Sequence, residues 1–338
     1  MVIPYRTRRR LQRIGLGVLA VLLTALLIWG CWLLWLHKHI RYTADGAVLD
    51  FDMDPISQDG QLALPPDGQQ QVSIYYNEGD NAVSTSKELS QLVGYYITGQ
   101  DLTDIPTLKS ILANLPNGTP VMMDVKSIYG SFYYSSGVSA VRSDGIDAAA
   151  VDALIKQLNQ SGAYLIARMP ALRDKAYGLE FDEDGLFHSS RGYLWVDEEG
   201  CYWLNPSRQG TLNYITRTIT ELKSLGFDEV LLADFQIPRA DNTYFEGDRD
   251  EALASAAKTI VSTCAGDYFA VSFVGEATFP LPEGRTRLYV TSAAASEVES
   301  ISQQTGLEDP LTRLVFLTEN HDTRFDAYSV MRPITAAH

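Results

Sequence analysis

The 338-residue chain has little cysteine and little positive charge. It contains three cysteines, and only Cys201 and Cys264 lie beyond residue 36. Secreted domains that depend on disulfides use far more cysteine, so this chain must be stabilised by a hydrophobic core. Residues 37–338 carry 22 Lys and Arg against 42 Asp and Glu, a formal charge of −20. This imbalance argues against nucleic acid or another polyanion as the natural partner.

Motifs that mark nucleotide, metal and serine chemistry are also missing. The sequence has no G-x-G-x-x-G and no P-loop, which bind phosphates. It has no H-E-x-x-H, which binds zinc, and no G-x-S-x-G, which positions a nucleophilic serine. We therefore predict no cofactor and no metal site.

One long apolar run lies near the N-terminus. Residues 14–36 contain no charged side chain, and about 20 such residues suffice for a helix to cross a bilayer. Five arginines precede the run in residues 1–13, whereas only Lys38 and Arg41 follow closely, so the positive-inside rule predicts a cytoplasmic tail. The run has no A-x-A-like cleavage site, which indicates an uncleaved signal anchor. We predict a single-pass cell-membrane protein whose remaining chain is extracytoplasmic.

The chain beyond the apolar run divides into a polar segment and a regular domain. Residues 37–90 are rich in Asp, Gly, Pro and Gln and are interpreted as a linker. In residues 91–338, buried-strand patterns alternate with helical patterns, which indicates parallel strands joined by right-handed crossovers. The strand patterns cover residues 92–99, 120–127, 164–170, 229–238, 268–275, 287–292, 313–318 and 326–331.

Seven or eight strands in one domain, the last of them a candidate, favour an α/β fold of the TIM type, a (β/α)8-like barrel, over an open sheet. The stretch between residues 275 and 287, and the one that follows residue 318, are too short for a normal crossover helix. The last units are therefore expected to be shortened.

Chemistry in a TIM barrel takes place where strands end, at the C-terminal face. Asp124, Arg168, Asp234, Glu276 and Glu319 all fall at or just beyond predicted strand ends. Hydrolysis of a glycosidic bond usually needs two carboxylic acids, and this rim offers several. Acidic residues at strand ends also cap helices or lie in solvent, so spacing alone does not single out a catalytic pair.

Three other features leave alternatives open. Lys126 shares a face of its strand with Asp124, either as an ion pair or as a cation that tunes the carboxylate. Arg168 could hold a sugar hydroxyl or pair with Asp124. The aromatic stretch YLWVDEEGCYWLNP, which includes Trp203, could stack on sugars or pin its own loop to the barrel.

Four stretches occur in the same order as four motifs of a bacterial family of putative glycoside hydrolase barrels. They are VMMDVKSIYG, YLIARMPALRDKAYG, LWVDEEGCYWLNP and GFDEVLLADFQIP, within about residues 92–240. The chain resembles a divergent member of this family. The resemblance implies a TIM barrel that hydrolyses O-glycosidic bonds of a surface or environmental polysaccharide. On this hypothesis Asp124, Asp234 and Glu276 are the candidate catalytic acids, and the substrate contacts are Lys126, Arg168, Trp203 and Asn205.

The fourth motif departs from the family pattern G-F-D-E-I-x-F-D-Y-I-R-F-P. An alignment without gaps from Gly226 to Pro238 puts the strand-end Asp of the family at Ala233 and its Tyr at Asp234. Because side chains alternate along a strand, these two positions face opposite ways, although a β-bulge could turn Asp234 back. Two functions therefore stay open: an active hydrolase, or an inactive barrel that binds glycan or serves as a cell-envelope scaffold. The sequence does not specify the oligomeric state.

Overall fold

The structure is a computed structural model that describes residue 29 and residues 40–43, 46–49, 89–190, 192–275 and 280–336. Within these residues no helix has the length and apolar character needed to cross a membrane. Apart from Trp29, the predicted cytoplasmic tail and anchor lie outside the described residues, as does most of the linker.

The chain divides into two compact units, residues 1–77 and 78–338. In the first unit, β1 (Ile40–Thr43) and β2 (Gly46–Leu49) form an antiparallel hairpin. This hairpin differs from the sequence-based expectation, because its residues belong to the segment interpreted as a linker.

The second unit is built around a closed barrel. Its strands within the described residues are β3 (Val93–Ile97), β4 (Val121–Asp124), β5 (Leu165–Pro170), β6 (Phe187–His188), β7 (Glu229–Ala233), β8 (Thr243–Tyr244), β9 (Ala270–Val274), β10 (Leu288–Thr291), β11 (Leu314–Leu317) and β12 (Ser329–Pro333). All except β6 and β8 pair in parallel and close in chain order; β6 and β8 form a separate antiparallel pair. The predicted TIM-type barrel is confirmed.

Helices cover the outside of most units. They are α1 (Ile105–Leu112), α2 (Ala148–Gln160), α3 (Lys175–Glu180), α4 (Gln209–Ser224), α5 (Arg249–Cys264), α6 (Val298–Thr305) and α7 (Pro310–Arg313). The described residues between β9 and β10, and those between β11 and β12, contain no helix, as the short spacings predict. Several acidic residues are helix caps: the side chains of Asp104, Asp147 and Asp248 accept backbone N–H bonds at the starts of α1, α2 and α5.

Alternation along the strands separates a barrel interior from a helix-facing core. Met122, Ile166 and Leu231 pack with one another inside the barrel. Val230 and Leu232, the neighbours of Leu231 in β7, pack in the helix-facing core instead. Every second side chain of a barrel strand therefore points toward the axis.

A fully buried ion pair closes the N-terminal end of the barrel, which we call the floor. The side chains of Arg287 and Glu229 are both 0% exposed and paired. The hydroxyl groups of Tyr164 and Tyr289 each donate to the Glu229 carboxylate over 2.9 Å. Arg287 also donates to the Ser90 carbonyl over 2.8 Å, which fixes the chain just before β3. The chain therefore enters the barrel at the floor, opposite to the strand ends that form the mouth.

Candidate active site

Asp124 ends β4 and is held at the mouth by two donors. Arg168 Nη1 donates to Asp124 Oδ1 over 2.7 Å, and the Gly99 N–H donates to Asp124 Oδ2 over 3.0 Å. The Arg168 side chain is 39% exposed and that of Asp124 is 18% exposed, so the pair is open to solvent. The interpretation of Arg168 as a partner of Asp124 is confirmed.

The pair lines a cavity of about 440 Å³ at the mouth. Hydroxyl and carboxylate groups surround it: the cavity is also lined by Tyr96, Thr98, Thr291, Ser292, Thr318 and Glu319. Burial raises the pKa of Tyr96, and the Glu319 charge raises it further, so this phenol stays a hydrogen-bond donor. Such polar groups around a concave site can orient the hydroxyl groups of a sugar.

Asp234 lines a second cavity of about 1080 Å³, which meets the first at Thr291. The residue follows the last position of β7 and adopts a left-handed backbone with φ of 49°. Burial raises the pKa of the Asp234 carboxyl, and the charges of Arg173 and Arg168 oppose that rise only in part. The shift is in the direction that suits a general acid.

Ala233 occupies the interior position at the end of β7. The β5–β7 ladder runs without a break from the pair Ile166 and Glu229 to the pair Pro170 and Ala233, and the Ala171 N–H bonds to the Ala233 carbonyl. This regular register leaves no bulge before Ala233. The strand predicted to reach residue 238 instead ends at Ala233, and the left-handed turn at Asp234 breaks the alternation that the sequence pattern implied.

A second left-handed residue lies at the mouth, at the end of a strand that is separated from β7 by β9 alone. Ser292, which follows β10, has φ of 60°, and it and Asp234 are the non-glycine residues with positive φ in the described part of the chain. Such conformations are uncommon for non-glycine residues and cluster at functional sites. Both residues line the mouth cavities, which supports this end of the barrel as the functional one.

An aromatic and charged cluster braces the loop beside Asp234. Asp197 accepts from Arg173 Nε over 2.6 Å and from Trp203 Nε1 over 2.9 Å. Burial alone would raise the pKa of Asp197, but hydrogen bonds from the Cys201 amide, Trp203 and Arg173 outweigh it and lower that pKa. Trp203 is 5% exposed, so its ring pins the loop and has little surface left for a sugar.

Lys126 and Asn205 lie away from both mouth cavities. The Lys126 ammonium, 1% exposed, pairs with Asp174 over 2.6 Å and cannot reach a bound substrate. Asn205 Oδ1 accepts the Ser207 N–H over 2.9 Å in a turn before α4. Glu276, the third candidate acid, lies outside the described residues.

Glu319 and Tyr96 were not among the predicted site residues, although both line the Asp124 cavity. The sequence placed Glu319 just beyond a strand end, where spacing alone did not single it out from the other acidic residues of the rim. Tyr96 lies within a strand, and the sequence pattern does not distinguish a site residue there from one that packs in the barrel interior. Within the described residues, no cluster of His, Cys, Asp and Glu could hold a metal ion.

A match to a family model shows which protein family the chain belongs to. Residues 94–263, half of the sequence, match the family described as "Putative glycosyl hydrolase domain". The chain belongs to this family. The matched glycosyl hydrolase region runs from β3 to α5 and contains Asp124, Arg168 and Asp234.

Comparison with solved structures finds matches at low sequence identity. The α-galactosidase from Lactobacillus brevis covers 73% of this chain with 9% identity and a TM-score of 0.50, and the chain spans 38% of its length. A variant of the PelA glycoside hydrolase domain from Pseudomonas aeruginosa covers 74% of this chain and 97% of its own length, at 11% identity and a TM-score of 0.45. A search of curated proteins finds no significant match. The α-galactosidase likeness supports the fold of this glycosyl hydrolase family member and nothing beyond it.

Proposed function

We propose that this chain is a membrane-anchored, extracytoplasmic glycoside hydrolase that cleaves O-glycosidic bonds of a surface or environmental polysaccharide. The observation that carries the proposal is the contrast between two carboxyl groups at one barrel mouth. Burial raises the pKa of Asp234, whereas Asp124 is held by a guanidinium and a backbone N–H. Two carboxyl groups with opposed environments are typical of an acid and an anionic partner in glycoside hydrolysis.

In the proposed reaction, Asp234 donates its proton to the leaving glycosidic oxygen. Asp124 acts as the anion, either as the nucleophile or as the base that activates water. Arg168 fixes the orientation of Asp124 and keeps 39% of its own side chain exposed toward substrate. The hydroxyl groups of Tyr96 and Thr291 bind sugar hydroxyls. Positioning of this kind converts binding energy into rate.

The proposed location follows from the apolar run at residues 14–36 and the arginines before it. The chain enters the barrel at the floor, where the Ser90 carbonyl bonds to Arg287. The mouth lies at the other end of the barrel.

Asp124→Asn tests the anionic role. We expect this change to lower release of new reducing ends by about 10²-fold to 10⁴-fold, the usual range for loss of an acid or base group. The variant should fold normally, because an Asn side chain can still accept from Gly99. The assay uses the full chain in detergent with a panel of plant, algal and cell-wall polysaccharides.

Asp144→Asn is the matched control for that assay. Asp144 is exposed in the same loop region after β4 and lines neither mouth cavity, so its substitution should leave turnover unchanged. Full activity in Asp124→Asn would remove Asp124 from the mechanism. A similar loss in both variants would point to a general charge effect instead.

A second function, an inactive barrel that binds glycan or serves as a cell-envelope scaffold, is favoured by Ala233. This alanine, 4% exposed, holds the position where the gapless alignment puts the strand-end Asp of the family. If the chain has lost catalysis there, Ala233→Asp should restore measurable hydrolysis. If Asp234 performs the chemistry, the wild-type chain is active, and Ala233→Asp lowers that activity because it places another carboxyl group directly beside Asp234. Reducing-end release by both chains on the same panel separates the two functions.

A further inference from the structure

A separate cavity of about 600 Å³ lies on the outer side of the barrel, between the loop after β4 and helices α3 and α4. We call it the side groove. It shares no residue with the two mouth cavities. Its volume falls within the range of roughly 300–1,000 Å³ that is usual for small-molecule sites, and the proposed hydrolysis leaves it without a role.

Three stacked aromatic rings form one wall of the side groove. The ring of Tyr177 stacks on Tyr214, with centroids 4.1 Å apart, and packs against Phe181 at 4.7 Å. Phe181 is the outer ring and is 38% exposed, so one of its surfaces faces solvent. Tyr177 cannot turn away, because its hydroxyl donates to the buried Asp184 over 2.8 Å. The stack is therefore a rigid apolar platform.

Polar side chains face the same groove without internal partners. Within the described part of the chain, Glu180, Glu183 and Arg217 make no side-chain hydrogen bond or ion pair, although all three line the groove. Asn213 accepts from Gln209 over 2.9 Å, which leaves its amide N–H groups available. Two carboxylates, a guanidinium and an amide thus offer both acceptors and donors beside the aromatic platform.

We infer that the side groove is a second glycan-binding site that takes an uncharged stretch of polysaccharide. Sugar rings present an apolar C–H face, which packs on an aromatic ring, and a rim of hydroxyl groups, which bind carboxylates, amides and guanidinium groups. Two free carboxylates and the nearby Asp184 disfavour a polyanionic ligand. The inference deepens the proposed function and rests on it for the choice of a glycan as ligand.

A buried ion pair ties the side groove to the catalytic strand. Lys126, two residues beyond Asp124, lies 5.0 Å from the centroid of the Tyr214 ring and pairs with Asp174. Asp174 in turn accepts from the Tyr214 hydroxyl over 2.8 Å. The aromatic wall and the end of β4 are thus fixed relative to each other. A polysaccharide bound in the groove would be held at a constant distance from the mouth.

Binding stoichiometry in a chain that cannot hydrolyse its ligand tests the inference. The full chain with Asp124→Asn and Asp234→Asn is titrated in detergent with neutral hexasaccharides derived from cellulose, chitin, mannan and galactan. We expect two hexasaccharides per chain for at least one sugar. Adding Phe181→Ala should remove one of them or weaken it about tenfold or more, and Arg217→Ala should act in the same direction.

Leu179→Ala is the matched control, because Leu179 is 59% exposed near the end of α3, two residues before Phe181, but does not line the groove. It should leave both bound sugars in place. If one hexasaccharide binds per chain and Phe181→Ala abolishes that binding, the result supports the side groove as a glycan site, even if the wild-type chain shows no hydrolysis. Unchanged binding in both Phe181→Ala and Arg217→Ala would overturn the inference, as would the absence of binding by all four hexasaccharides.

Discussion

Asp234→Asn is expected to abolish turnover and, at the same time, to make the folded protein more stable near neutral pH. The catalytic loss should be about 10²-fold to 10⁴-fold, because an amide cannot donate the proton that the leaving oxygen needs. The fold should remain intact, since Asn tolerates the left-handed backbone that Asp234 adopts at φ of 49°.

The stability gain follows from the sign of the pKa shift. Burial raises the pKa of Asp234 in the folded state above its value in the unfolded chain. The protonated carboxyl is therefore compatible with the fold at pH values below the unfolded pKa, and its ionisation destabilises the fold as pH rises through the folded pKa. The uncharged Asn avoids that penalty. The difference in Tm between variant and wild type should be positive at pH 7 and vanish toward pH 3.

Asp241→Asn provides the control for both measurements. Asp241 is exposed in the loop that follows β7, so its substitution should change neither turnover nor the pH dependence of Tm. The pH–rate profile of the wild type should fall on its alkaline side as Asp234 ionises. An Asp234→Asn chain with full turnover, or one that is less stable at pH 7, would contradict the assignment.

Arg287→Met is expected to cost about 3–5 kcal/mol in the free energy of unfolding, the usual loss when one partner of a buried ion pair is removed. Arg287 and Glu229 are both fully buried, so the variant leaves a carboxylate without its counter-charge at the barrel floor. It also removes the bond to the Ser90 carbonyl. Domains are stable by only about 5–15 kcal/mol, so the midpoint of urea unfolding should fall sharply.

A paired variant separates charge from packing at the floor. Combining Arg287→Met with Glu229→Gln removes both charges and keeps an acceptor for the hydroxyl groups of Tyr164 and Tyr289. Most of the lost stability should return, because the uncompensated charge is gone. If Arg287→Met alone stays within about 0.5 kcal/mol of the wild type, or if the pair is no better than the single change, the floor does not depend on this ion pair.

The barrel could be predicted because its signal is local and repeated. Each strand of the barrel is a short apolar run, and helical spacing between the early runs implies parallel pairing. Helix capping is equally local: Asp104 accepts the Thr107 N–H at the start of α1. The hairpin of β1 and β2 was missed because each of its strands has only four residues, too few for a periodic pattern to stand out.

The site could be predicted less well because its geometry depends on distant contacts and on one backbone angle. Lys126 was expected to act with Asp124, but its partner is Asp174, 48 positions along the chain. Period-two alternation places Asp234 on the helix side, and no feature of the sequence reveals the left-handed turn that redirects it to the mouth. For Trp203 the sequence left two alternatives open, and the structure shows that its ring braces its own loop through Asp197 and has little surface left for a sugar.

Release of new reducing ends from polysaccharides by the wild-type full chain is the most direct test of the proposed glycoside hydrolase activity. We expect product from at least one polysaccharide, with loss of that product in Asp124→Asn and in Asp234→Asn and retention in Asp144→Asn. No product from any polysaccharide, alongside saturable binding of the same glycans, would contradict it and identify the chain as a binding barrel that has lost its chemistry.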